Sequence, residues 1–349
     1  MTDGRNLRTA FLKWTDPRVR PAWKSIETGD MSPFLHYDYL DYVYRYTRRV
    51  KPLYRPRVAC VLDGDEIVMM VALRGSFDHR YWKMLGDIQG CGRTDALWKP
   101  SLGIEERERL TSFFFRSIPK KMALYRIQCD SPLLRYIPKE RVDRCLEQAC
   151  VSISVPRGGA ETLLKSLRPS VRQNIRTAYN RMKRDGLSYR LEVYDAAHPV
   201  SDAVWDRIMD LYFERMSTKY KRRKTRSWLS RQLMRRRYYR IKHDTRSLHS
   251  LPNGFHAVLW SGKRIMAFMS GLTSHDASLV SVPRLAIDSF YGFYSPGYVL
   301  IAETIRYFSA HPTLRVLDLS RGEEKYKLDM GGQVYSTCDI ELRAFRQDA

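Results

Sequence analysis

The chain places the turn Ser295-Pro296-Gly297-Tyr298 directly before an apolar repeat in which Ile301, Ile305 and Phe308 recur at helical spacing. That pattern can bind an anion. Proline at a helix start is already in helical φ, glycine beside it lets a ligand approach the backbone, and the first amides of a helix have no partner within it. Together with the helix dipole, those amides suit a diphosphate. Two carboxylates frame the same stretch: Asp288 closes the run Arg284-Leu285-Ala286-Ile287, and Asp318 sits between Leu317 and Leu319. Partial burial of Asp318 between apolar neighbours can raise a carboxyl toward the proton affinity a general base needs. The other reading is a structural carboxylate paired with Arg321 or Lys327. Tyr326 offers a hydroxyl able to give a proton to a leaving group, and Arg321 and Lys327 offer cations to an anionic substrate.

Positioning these groups requires a particular series of elements. Residues 257–260 and 264–273 are apolar runs around the turn Ser261-Gly262-Lys263, a hairpin pattern. After a second turn at 274–276, residues 278–282 read as a strand, extended by 284–288 toward a glycine-bearing loop. A helix over 298–308 follows, stopped by His311-Pro312, and 314–319 reads as a short buried strand. Antiparallel strands, loop, helix and strand differ from a dinucleotide-binding unit, and no GxGxxG after a strand or GxxxxGK[ST] is evident. Neither is a Ser-His-Asp order, a glycosidase carboxylate pair or HExxH, and His256 and His275 read as strand or turn residues.

The sequence resembles the GNAT-type acyltransferases, and within them the polysaccharide-biosynthesis group typified by the cellulose-synthesis protein CelD, itself similar to the FemAB peptidyltransferases. The residues carrying the resemblance are Ser295-Pro296-Gly297, the tail Leu317–Lys327 and the run Leu164–Arg176, with Ser32-Pro33-Phe34 and Gly86-Asp87-Ile88 in similar places. It implies an α/β (α+β) fold of two tandem GNAT-like domains, each a mixed, mainly antiparallel sheet flanked by helices. It implies an enzyme moving an acyl group, acetyl first, from acyl-CoA to an amino sugar, nucleotide sugar or polysaccharide precursor. The strand Leu285-Ala286-Ile287 would then run beside the pantetheine arm and Ser295 to Tyr298 would hold the pyrophosphate. Binding and backbone amides do most of the work, and one base, Asp318 or Asp288, or a water relay removes the acceptor proton. Arg172 and Arg176, on a helix that lies by the cleft in the related families, are solvated or meet an anionic ligand.

Length and composition set the frame. At 349 residues the chain suggests two domains, and 44% apolar residues supply their cores. The boundary falls near Cys150, giving 1–150 as an N-terminal, structural or acceptor-side domain and 151–349 as the transferase domain. The first half repeats the element order of the second, with a hairpin over 58–62 and 66–73, a glycine-bearing loop, a helix over 104–118 and a strand over 123–128. The net charge of +23 calls for an acidic partner. From Lys219 to Arg246, thirteen Lys or Arg stand against Asp244, a surplus of +12. Interleaved Trp228, Tyr238 and Tyr239 make 219–246 a basic helical insertion suited to tRNA or an anionic membrane surface. That segment favours a second reading, FemAB-like transfer from aminoacyl-tRNA to a peptidoglycan precursor, and leaves a third, a non-catalytic nucleic-acid or membrane-surface binding protein. Six scattered cysteines read as reduced thiols without a metal site, and no apolar stretch reaches membrane-spanning length. A cytoplasmic protein, peripheral at most to the inner membrane face, is expected.

Overall fold

The computed structural model describes residues 6–50, 52–76, 81–86, 92–118, 120–156, 159–221, 232, 236 and 251–344. Most of the basic run 219–246, expected as a helical insertion, lies outside the described residues, as do Asp87 and Ile88. The chain divides into two units, Met1–Cys150 with Tyr335–Ala349, and Val151–Val334.

In the first unit the apolar runs around Asp63-Gly64-Asp65 pair as the hairpin β2 (Arg55–Asp63) and β3 (Glu66–Gly75), with β1 (Leu7–Lys13) antiparallel on β2. Gly64 turns the hairpin at φ 59°, a conformation that costs glycine little. β4 (Tyr81–Met84) and the short β5 (Leu97–Trp98) both pair with β3. The helix Ile104–Ser117 buries Leu110, Phe114 and Phe115 and leads to β6 (Lys121–Gln128), which runs parallel to β4. β7 (Val142–Ser154) carries the chain across the unit boundary.

The second unit repeats that order. β8 (Arg190–Tyr194), β9 (Gly254–Ser261) and β10 (Arg264–Thr273) lie antiparallel in sequence, and β11 (Leu279–Ile287) is antiparallel to β10. The helix Pro296–Ser309 buries Val299, Leu300, Ile301, Ile305 and Phe308 and returns the chain to β12 (Val316–Arg321), parallel to β11. On the sheet's other face, the helix Asp202–Lys221 packs Trp205, Ile208 and Met209 against Val258, Phe268 and Ala286. Both units are therefore mixed, mainly antiparallel sheets flanked by helices.

Several boundaries differ from the sequence pattern. Ser32-Pro33 opens a 3₁₀ turn, Pro33–Leu35, and the α-helix begins only at Tyr37. Ser32 makes no cap bond and instead donates to the Arg93 carbonyl at 3.1 Å. The helix Val19–Ile26 buries Val19, Trp23 and Ile26 at helical spacing, while the helix Lys325–Asp329 and the strand β8 are only five residues each. β13 (Gln333–Leu342) pairs antiparallel with β6, so residues 335–349, expected in the second domain, group with the first unit. None of the described helices is long and apolar enough to cross a membrane.

The runs 278–282 and 284–288 form one strand with a break in its ladder. β10 and β11 pair at Leu272–Ser281 and again at Ser270–Arg284, so Val282 and Pro283 face the single residue Gly271. Proline has no N–H to give to a ladder, which places it in a bulge. Gly271 is demanded by proximity: a Cβ there would lie 1.8 Å from the Ser281 carbonyl oxygen. Gly271→Ala is expected to destabilise the protein by about 3 kcal/mol, because a backbone atom cannot swing aside as a side chain can. Urea unfolding of the variant beside the parent measures this, and an unchanged midpoint would remove the close approach from the account.

Candidate active site

β11 and β12 are paired only over Leu279–Ser281 and Val316–Asp318. Past that point β11 runs on to Ile287 and β12 to Arg321 without a rung between them. Asp318 holds the last rung. Fully buried, it accepts from Ser281 Oγ at 2.7 Å and from the Ser320 amide at 2.9 Å. Ser320 takes φ 53°, and the bulge at Pro283 bends the other strand immediately beyond Ser281. The strands part there into a V.

Charged side chains furnish the V. Arg215, from the helix Asp202–Lys221, donates through Nη1 to the Leu285 carbonyl and stands 3.3 Å from Glu324 Oε1 through Nη2. Glu324 Oε2 lies 2.9 Å from Lys327 Nζ. Lys327 is 2% exposed, and its ammonium donates to the carbonyls of Leu319 at 3.1 Å, Arg321 at 2.9 Å and Gly322 at 3.1 Å. With Glu324, four acceptors surround three donors, so the Lys327 ammonium locks the turn after β12 and has no donor to spare. Burial opposes the Glu324 carboxylate, but Lys327 and then Arg215 outweigh it and hold its pKa below the ordinary glutamate range.

Tyr326 lies between this cluster and the helix start. Its hydroxyl is buried and, among the described residues, meets no partner at full hydrogen-bond geometry, although Arg215 comes near enough to act on the phenol oxygen as a donor and Glu324 acts on it by charge. Burial, followed by Glu324, pushes the phenol well above its ordinary value, with Arg215 opposing. It therefore stays protonated and is a better hydrogen-bond donor than acid.

The helix start closes the third side. Pro296 and Gly297 are buried, Ser295 and Tyr298 are half-buried, and Ser295 adopts a left-handed φ of 48° that turns the chain into the helix. A Cβ on Gly297 would come within 2.8 Å of Ile287 Cδ1 and 3.5 Å of the Tyr326 ring, so glycine here lets three elements meet. The Tyr298 hydroxyl donates to Asp329 Oδ2 at 2.6 Å, and burial followed by that carboxylate pushes its phenol up to about 12. Acidic residues are absent from this helix's first turn. The corresponding helix of the first unit carries Glu105 and Glu106 there, and Glu106 accepts from the Gly103 amide at 3.0 Å, so its end is already filled by a negative charge.

The remaining sequence candidates fall elsewhere or are differently engaged. Leu285 and Ile287 pack toward the core under the Pro296 helix, whereas Ala286 points to the opposite face. Asp288 pairs with Arg264 Nε at 2.8 Å and accepts from the Phe290 amide at 2.9 Å, capping the 3₁₀ helix Ser289–Tyr294. Arg172 and Arg176 are exposed on the helix Pro169–Arg184, and Arg321 is half-buried at the end of β12. Arg215 had no signal in the sequence, being one of 61 Lys and Arg residues, while Glu324 lies within the tail 317–327 without standing out from it. An open hollow of about 400 Å³ lined by Tyr179, Lys183 and Tyr189 contains none of the sequence candidates. Among the described residues no group of three or more His, Cys, Asp or Glu could hold a metal ion.

Residues 169–328 match the acetyltransferase (GNAT) domain family. The described part of the V, from Arg215 to Lys327, lies inside that match, and the second unit has a GNAT-type acyltransferase fold. Solved structures agree on fold. A protein of unknown function from Bacteroides thetaiotaomicron VPI-5482 is 14% identical with a TM-score of 0.52, over 97% of this chain and 99% of that one. The C-terminal domain of a protein assigned as a lysylphosphatidylglycerol synthetase from Agrobacterium fabrum is 12% identical with a TM-score of 0.51, over 92% and 90%. FemX is 8% identical with a TM-score of 0.50, over 85% and 90%. A search of the curated proteins finds no match.

The lowered pKa of Glu324 fixes the sign of a pH effect. A carboxylate more acidic in the folded than in the unfolded state contributes stability above its unfolded pKa and loses it as pH falls through the folded value. Glu324→Gln should therefore destabilise the protein at neutral pH, where Lys327 loses its counter-charge, by about 1 kcal/mol or less after solvent screening, and the gap should close as pH falls below the ordinary glutamate range. Urea unfolding of parent and variant across pH tests this, and a pH-independent gap would show that the carboxylate charge is not what matters.

Proposed function

We propose that the second unit is an acyltransferase whose thioester donor lies along the parted edge of β11, with acetyl-CoA the first candidate donor. The acceptor is a nucleophile on an amino sugar, nucleotide sugar or polysaccharide precursor, the CelD-like reading of the sequence. One observation carries this: β11 and β12 part just beyond Ser281 and Asp318 in front of a helix start whose first turn holds no acid. A donor diphosphate would meet the Ser295 to Tyr298 backbone, and its pantetheine arm would follow Leu285 to Ile287. The buried Tyr326 hydroxyl is a donor left for the departing thiolate, which it would stabilise by a hydrogen bond without full proton transfer. Of the sequence candidates for the base, Asp318 is tied up at the crotch of the V and Asp288 in a cap. A water relayed through Glu324 is therefore the preferred route for the acceptor proton.

A second reading has its own support. The surplus of +12 over 219–246 and the fold shared with FemX favour an aminoacyl-tRNA donor. Thermal melting with acetyl-CoA, longer acyl-CoAs and tRNA separates the two. A donor at a hundred times its Kd stabilises by about 2.7 kcal/mol, a rise of a few degrees in melting temperature. Stabilisation by acyl-CoA supports the first reading, and salt-sensitive stabilisation by tRNA alone replaces it with the second.

Two variants locate the site. Gly297→Asp is expected to abolish donor binding by setting a negative charge beside the phosphates. Gly297→Ala, which needs only the tip of Ile287 to shift, should fold and retain binding. If the aspartate variant folds and binds donor normally, the helix start is not where the donor sits. Tyr326→Phe should leave donor affinity intact and lower turnover about tenfold or more, read as kcat against KM.

A further inference from the structure

Beside the site, two phenylalanines stand in water on a scaffold that holds them there. The 3₁₀ helix Ser289–Tyr294 sets Phe290 and Phe293 three residues apart, and in that geometry residues i and i+3 lie one above the other. Phe290 is 68% exposed and Phe293 is 53% exposed. The short helix is anchored from within: Tyr291 is buried, the Tyr294 hydroxyl donates to Asp185 at 3.1 Å, and Arg181 Nη1 donates to the Phe293 carbonyl at 2.8 Å. The rings are thus kept out of the core by construction.

Each ring also carries a guanidinium. Arg264 lies 4.5 Å from the Phe290 centroid, and Arg181 lies 4.3 Å from that of Phe293, with Arg184 at 5.9 Å. Asp288 and Asp185 neutralise Arg264 and Arg184, so the surplus charge comes from Arg181 and from Arg172, Arg176 and Lys183 on the same helix Pro169–Arg184, which contains no acid. Exposed aromatic edges flanked by cations match an anionic bilayer surface, where rings enter the headgroup layer and guanidinium groups meet lipid phosphate. Nucleic acid is the weaker match, because base stacking needs an open ring face and each of these rings has a face covered by arginine.

We propose that Phe290 and Phe293, with the arginines beside them, dock the second unit onto an anionic phospholipid surface. This surface is separate from the basic run 219–246 and does not depend on the transfer reaction.

The test is co-sedimentation of the full chain with phosphatidylcholine vesicles, with and without phosphatidylglycerol. The parent should sediment with the anionic vesicles and not with phosphatidylcholine alone. Combining Phe290→Ser with Phe293→Ser should weaken that binding about tenfold while leaving tRNA retention and the melting temperature unchanged. Phe293→Trp should add a component to the tryptophan emission that shifts to shorter wavelength with anionic vesicles. The proposal is overturned if the parent ignores anionic vesicles, or if the double variant binds them as the parent does, which would leave binding to bulk positive charge. It is equally overturned if the double variant loses tRNA and keeps the vesicles, which would make this a nucleic-acid surface.

Discussion

The last rung between β11 and β12, Ser281 to Asp318, is the constraint on which the second unit depends. A parallel pair that stayed zipped would present a closed sheet and leave no room between strand and helix. Two local features prevent this. Pro283 cannot donate to a ladder and sits in a bulge opposite Gly271, and Ser320 takes a left-handed turn on the neighbouring strand. Asp318 joins the two by gripping Ser281 through its side chain and Ser320 through its amide. A carboxylate this deeply buried is normally costly, and here both of its oxygens have donors. The residue most attractive as a base from its neighbours is thus the pin that sets where the strands separate.

Beyond the pin, a line of alternating charges keeps the gap polar: Arg215, Glu324 and Lys327. The line works because each member is satisfied on more than one side. Lys327 is held by three carbonyls as well as by Glu324, and Arg215 by the Leu285 carbonyl as well as by Glu324. In a partly dry setting such a chain is stiff, and it fixes both the turn after β12 and the environment of Tyr326. The tyrosine hydroxyl, buried beside two opposed charges and without a partner at full hydrogen-bond geometry, is the member of the set left to act on something else.

The two units show how one order of elements gives two different surfaces. Each has a hairpin, a third strand, a helix and a strand parallel to the third. In the first, the helix begins with Gly103 and two glutamates, one of which folds back over its own start. In the second it begins with Ser295-Pro296-Gly297, without acid. The dipole is the same in both, and only the first meets it with a carboxylate of its own.

The sequence alone determined much of this protein. Apolar runs of strand length around Gly64 and Gly262, and the helical repeat after Pro296, specify the elements, because periodicity and turn chemistry are local. The helix start at Ser295 was legible for the same reason, its amides being a property of four consecutive residues. The tertiary structure decided what those residues do to one another. The full burial of Asp318, the internal use of the Lys327 ammonium, the packing need for Gly297 and the arrival of Arg215 at Leu285 join positions up to 109 residues apart, as in the Arg215–Glu324 pair. No local pattern encodes such meetings, since one arginine among many is marked only by the carbonyl it reaches. β13 shows the same limit at the scale of domains: no reading of the sequence placed a strand there, and its pairing with β6 is what groups it with the first unit.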